Sequence, residues 1–191
     1  MLNLNPKTAA LVLIDLQKGI LARPLAPHGA AEVVDKAARL GVSLKRAGGV
    51  VAPVHVAYSA DGADRLRQPV DATLSATGAV PPDWADFVPE IAALPADFVI
   101  VKRQWGAFHG TELDLQLRRR GIDAIILGGV ATNYGVEQTA REAWQLGYAV
   151  IVAEDASSSM GEDLHKFSIE KILPRISRIR STAEILVAIE A

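Results

Sequence analysis

The chain has 191 residues, half of them hydrophobic and 22% charged, with a net charge of −2 and no cysteine. One domain of this length buries a large core, and abundant aliphatic residues with low net charge exclude a disordered chain. The charge balance offers no basic field for nucleic acid, and the missing cysteine excludes disulfides, zinc–thiolate sites, iron–sulfur clusters and a thiol nucleophile.

The N-terminal MLNLNPKTAALVLIDLQ has no basic leader, and its apolar run is stopped by Asp15 well short of a membrane span. A cytoplasmic protein without membrane association is therefore expected. ALVLI (10–14) reads as the first strand. Val33, Ala37, Leu40 and Leu44 then share one helical face that ends at Gly48-Gly49. VVAPVHVAY (50–58) is the second strand. Residues 59–96 carry Asp61-Gly62, Gln68-Pro69, Pro81-Pro82 and Pro89. An irregular stretch of that length points to function or to an interface rather than a linker. FVIV (98–101) follows, then a helix opened by a capping box from Thr111 to Asp114 and stopped at Gly121. AIILGGV (124–130) leads into a helix capped by Asn133, with Val136, Ala140 and Ala143 inward and its end near Gly147. AVIVA (149–153) is the fifth strand. ISRIRS (176–181) alternates, as an edge strand does. Ser181-Thr-Ala-Glu184 is a capping box for a last helix carrying Ile185, Leu186 and Ile189.

Most of these strands are continuously apolar, the mark of a parallel sheet covered on both faces. Strands alternating with helices give an α/β fold, and residues 1–191 read as one domain. Ligands of such sheets bind beyond the carboxyl ends of the strands. There the first strand delivers Asp15, the third Lys102, and the fourth the turn Gly128-Gly129-Val130-Ala131-Thr132-Asn133-Tyr134-Gly135 at a helix start. Each has a plain structural role open to it: a turn, a solvated flank, a tight strand-to-helix connection. Together they point to a small-molecule site built on an Asp–Lys pair. GGVATNYG lacks the Gly-Lys-Ser/Thr of a phosphate loop.

LVLIDLQ, together with VKRQWGAFHGTELDLQLRRRGIDAIILGGVATNYGVEQTAREAWQLGYAVIVAEDA, resembles the isochorismatase-like hydrolase family across essentially the whole chain. The resemblance rests on an Asp after the first strand, a Lys after the third, Phe108-x-Gly110-Thr111, and the Gly-Val-x-Thr turn. It implies a three-layer α/β/α fold with a doubly wound, six-stranded, mostly parallel, Rossmann-like sheet. It also implies a hydrolase without a cofactor that forms dimers or tetramers. Amidase members use an Asp–Lys–Cys triad. The position of their nucleophile aligns with Gly135, between Tyr134 and Val136. Nicotinamidase-like members also hold a metal through an Asp/His cluster after the second strand. HVAYSADGADRLRQP has no such spacing, so no metal is expected. His55 reads as a sheet histidine, while His28, His109 and His165 are scattered.

The branch with Gly at that position cleaves vinyl ethers by protonating carbon. By this resemblance Asp15 is the general acid, and Lys102 holds the anionic substrate and orients Asp15. Gly135 leaves room for the substrate ring. Arg65, Arg67 and Gln68 are the candidates for anion binding, although both arginines could equally solvate a loop. Trp105, Phe108 and Tyr134 are the candidates to wall the pocket, although Trp105 and Phe108 could equally be ordinary core residues, and Ala131 is expected to follow a cis peptide with its N–H facing the site. Two other readings stay open. One is a family member that has lost catalysis and serves as a binding or assembly module. The other is an amide hydrolase in which Asp15 activates water.

Overall fold

The computed structural model describes residues 2–72 and 81–191, so part of the irregular 59–96 segment lies outside the described residues. Six parallel strands form one sheet in the order β3-β2-β1-β4-β5-β6. They are β1 (Ala9–Ile14), β2 (Val50–Val56), β3 (Ile100–Lys102), β4 (Ala124–Val130), β5 (Ala149–Ser158) and β6 (Arg178–Arg180). The expected fold class is therefore the observed one. The chain winds outward from β1 to β3, returns to β4 and winds outward again. The order reverses between β1 and β4, and a crevice opens beyond their carboxyl ends.

Every residue of β1 and β4 is buried, as continuous apolar runs require. Alternation along β1 splits them between two cores. Leu11 and Leu13 face α2 (Ala30–Arg46) and α7 (Thr182–Glu190), meeting Val33, Leu40 and Ile185. Ala10, Val12 and Ile14 face α4 (Leu113–Arg119) and α5 (Glu137–Gln145), meeting Leu113, Leu117 and Ala140. The layers follow from the side-chain period of two. The short helices α1 (Lys18–Leu21), α3 (Pro89–Ala92) and α6 (Glu162–Phe167) lie at loop positions.

Several boundaries differ from the sequence reading. β3 starts two residues late and reaches Lys102, because only Ile100–Lys102 find partners along the end of β2. β5 runs past Ala153 to Ser158. Its register against β4 shifts between the Leu127–Val152 and Gly129–Ser157 pairs, leaving Glu154 and Asp155 in the irregular stretch. Polar residues there ended the apolar run without ending the strand. Asn133 does not cap α5. It lies inside a π-helical turn, Thr132–Val136, and accepts from the Ser159 hydroxyl. The Thr111–Asp114 box is half formed: Thr111 Oγ1 accepts from Leu113 N–H at 3.1 Å, while Asp114 accepts from Tyr148 OH at 2.7 Å. The Ser181–Glu184 box is complete.

Gly129 is fixed by β1. Its φ is +122°, and a Cβ there would lie 2.1 Å from the carbonyl oxygen of Ile14. Gly129→Ala is expected to cost about 3 kcal/mol or more through strain and overpacking. Ser181→Ala is expected to cost about 1 kcal/mol, the usual worth of a helix cap. Denaturant unfolding of both variants checks the ordering.

Candidate active site

The crevice predicted by topology holds a cavity of about 210 Å³. β1 delivers Asp15 to it. The Asp15 N–H still continues the sheet, donating to Val54 O at 2.8 Å, but its φ of +52° turns the chain out of the strand. Asp15 is the non-glycine residue in the left-handed region among those described. Such strain persists where the surroundings enforce it, and it gathers at functional sites.

Gln17, fully buried, closes the end of β2. Its side-chain oxygen accepts from Val56 N–H at 2.9 Å, and its amide donates to Val56 O at 3.1 Å. The same amide donates to Trp84 O at 3.2 Å, drawing the irregular segment onto the site. Trp84 thereby becomes a cavity wall.

Lys102, the last residue of β3, sends its ammonium across the end of β2 to Asp15 Oδ2 at 2.7 Å and also donates to Gln104 O at 3.0 Å. The pair is buried, with 1% of the Lys102 side chain and 9% of the Asp15 side chain exposed. Asp15 Oδ1 has no hydrogen-bond partner among the described residues. Burial pushes the Asp15 carboxyl up to about 6, against the opposing pull of Lys102 and, more weakly, His55. Desolvation wins because Lys102 meets one oxygen while the other has no hydrogen-bond partner among the described residues, and His55 and the Val56 backbone offset it only in part.

β4 supplies the third wall. The Val130–Ala131 peptide is cis, as the resemblance implied, and Ala131, Tyr134 and Gly135 all line the cavity. The Gly135 carbonyl accepts from Thr139 Oγ1 at 2.6 Å. A Cβ at Gly135 would lie 2.7 Å from Ile14 Cγ2 and 3.5 Å from Asp15 Oδ2. The ring of Tyr134 packs on Trp105 with centroids 4.6 Å apart. The loop carrying Trp105 is tied to α5 by Ala107 N–H on Thr139 Oγ1 and Phe108 N–H on Glu142.

Of the residues singled out in the sequence, Asp15, Lys102, Gly135, Arg65, Trp105, Ala131 and Tyr134 meet at this cavity. Three do not. Arg67 is exposed and donates to Gly62 O at 2.8 Å, Gln68 is exposed, and Phe108 lines a wider neighbouring groove and packs on Tyr148. Sequence reading passed over Arg23, Tyr58 and Trp84, which also line the cavity. Arg23 lies nine residues past the end of β1 at Ile14 and carries no motif; only the turn through α1 brings it back. Arg65 stacks over the Tyr58 ring at 4.5 Å. Among the described residues, neither Arg23 nor Arg65 is paired with a carboxylate, so with Lys102 they give the cavity a cationic lining.

The histidines divide into two groups. His55 is the expected sheet histidine, its Nδ1–H donating to Ala85 O at 2.7 Å. His109 is exposed. His28 and His165, however, are not scattered: both converge on Glu154.

Residues 9–184 match the family described as Isochorismatase domain. The chain is 51% identical over 189 residues to the uncharacterized isochorismatase family protein YecD of Escherichia coli O157:H7, spanning 99% of this chain and 100% of that one. The solved structure of an isochorismatase family protein from Burkholderia thailandensis matches with a TM-score of 0.93 at 42% identity, covering 99% of this chain and 98% of the other. A partial likeness, 35% identity over 103 residues, reaches the ureidoacrylate amidohydrolase RutB of Cronobacter sakazakii, over 52% of this chain and 44% of that one. No helix of the described residues is long and apolar enough to cross a membrane. Sheet order, crevice and sequence match agree along nearly the full length, and the chain belongs to the isochorismatase family of hydrolases.

Proposed function

We propose that the cavity binds a small anionic metabolite and hydrolyses an enol ether within it, with Asp15 as general acid. The observation that carries this reading is the buried Asp15 carboxyl, with Oδ2 held by Lys102 and Oδ1 without a partner among the described residues. A carboxyl in that setting keeps its proton to about pH 6 and has that proton to give. In the reaction the Asp15 proton adds to the terminal methylene carbon of the enol ether, and the ether oxygen stabilises the resulting oxocarbenium ion. Water adds to the oxygen-bearing carbon of that ion and returns a proton to Asp15. The hemiketal then breaks its C–O bond to release a ketone and an alcohol. No side-chain nucleophile is required, which suits a chain without cysteine. Lys102, Arg23 and Arg65 supply the charge that holds an anionic substrate. Trp105 and Tyr134 form an apolar wall for a flat ring.

The partial likeness to an amidohydrolase favours a second reading, in which ionised Asp15 activates water against an amide. A binding module without turnover is the third. The pH dependence separates the first two by sign. An acid must be protonated, so kcat/KM on isochorismate or a related enol ether is expected to fall as pH rises through about 6. A base would give the opposite limb, and ligand binding without any turnover would favour the third reading. Asp15→Asn is expected to lower kcat by roughly 10²–10⁴-fold. Arg23→Ala and Arg65→Ala are each expected to raise KM by about tenfold or more with a smaller change in kcat. Gly135→Cys is expected to destabilise the fold by about 1–3 kcal/mol, because its Cβ meets the buried Ile14 side chain, and to gain no amidase activity. Steady-state kinetics and thermal unfolding of the four variants check these outcomes.

A further inference from the structure

His28, Glu154 and His165 form a cluster outside the cavity that the proposed reaction does not use. His28 Nε2 lies 2.9 Å and His165 Nε2 3.2 Å from the same carboxylate oxygen, Glu154 Oε1. One ligand atom from each residue lies within 4.8 Å of the others. The rings stand edge to face, with centroids 5.7 Å apart. These three residues come from a loop, from the irregular stretch of β5 and from α6, so no sequence spacing announces them.

The outer ring nitrogens are engaged as well. His165 Nδ1 is 2.8 Å from the buried Thr132 hydroxyl, and His28 Nδ1 is 3.4 Å from Glu32 Oε1. Each imidazole is thus oriented by an oxygen partner on Nδ1 and presents Nε2 to a common point. That is the arrangement by which proteins orient histidine ligands of a metal. Beside the cluster stand Glu32 and Asp155, and Lys36, the cation found there among the described residues, already pairs with both. The surroundings therefore favour added positive charge. His165 is buried, while Glu154 keeps a third of its side chain exposed, leaving an approach from solvent.

We propose that His28, Glu154 and His165 bind a divalent transition-metal ion of the Zn²⁺ class, with water completing the coordination. Ligands of a tetrahedral zinc bound at about 2.0–2.1 Å stand roughly 3.3 Å apart, close to the two nitrogen–oxygen separations present. Binding replaces the Nε2 protons and leaves the Nδ1 contacts in place. Thr132 lies in the same π-helical turn as Tyr134 and Gly135 but does not itself line the cavity, so the ion braces that turn through Thr132. Its role is structural, and it stands whether or not the enol ether reading does.

Isothermal calorimetry of the purified, chelator-treated full chain with Zn²⁺ tests the site. One equivalent is expected to bind and to raise the melting temperature. His28→Gln and Glu154→Gln are each expected to weaken binding about tenfold or more, and His109→Gln to leave it unchanged. His28→Gln leaves the buried His165–Thr132 contact untouched, so it decides the matter if Glu154→Gln does not fold. Absence of stoichiometric binding to the wild-type chain, or binding that survives His28→Gln, overturns the proposal.

Discussion

The contact between Asp15 and Lys102 spans the end of an intervening strand, and much of the neighbouring structure serves to make it possible. The ammonium must pass the carboxyl end of β2, which ends at Val56 and is closed by the Gln17 amide. Asp15 must leave its strand at once, and its left-handed φ does that. A buried ion pair of this kind gains Coulomb energy but loses hydration at both groups, and it is weak evidence for stability. Here the balance is visible within one carboxyl group. Oδ2 is satisfied, Oδ1 has no partner among the described residues, and the group holds its proton well above the usual carboxylate range. The folded state binds that proton more tightly than the unfolded chain. The stability it contributes is fully present below about pH 4 and lost as pH rises through about 6. The site is thus built at some cost to the fold, as functional sites commonly are.

The same tension explains Gly129 and Gly135. β4 approaches β1 so closely at the switch point that Gly129 has no space for a side chain against Ile14 O. One turn later Gly135 sits against the Ile14 side chain and near Asp15 Oδ2. A side chain at Gly135 would press on Ile14, so the position beside the carboxyl does not take a thiol without a shift of that neighbour. Such an enclosure suits the proposed carbon protonation, and the packed rings of Trp105 and Tyr134 line the same cavity.

How far the sequence revealed this depended on the range of the contacts involved. Continuous apolar runs marked β1, β4 and the parallel sheet, because burial on both faces leaves a local signature. Asp15 and Lys102 were legible as strand-end residues, and topology then placed both at the crevice. Arg23 and Trp84 were not, since α1 and a hydrogen bond from Gln17 bring them back from segments without periodicity. Arg67 and Gln68 read as ligand residues only because the register of a loop cannot be set by pattern. Glu154 lies just past the apolar run 149–153 and carries no motif, and its convergence with His28 joins positions more than a hundred residues apart. Asn133 had the side chain of a helix cap, but the π-helical turn placed it inside the first turn instead.

The account turns on the protonation of one side chain, and that can be observed directly. Carbon-13 NMR of the Asp15 carboxyl, assigned by its loss in Asp15→Asn and followed across a pH titration of the free protein, reads it out. The account predicts a midpoint near 6 that rises further in Lys102→Met, where the opposing charge is gone. A midpoint near the ordinary carboxylate value of about 4, unmoved by Lys102→Met, would contradict it.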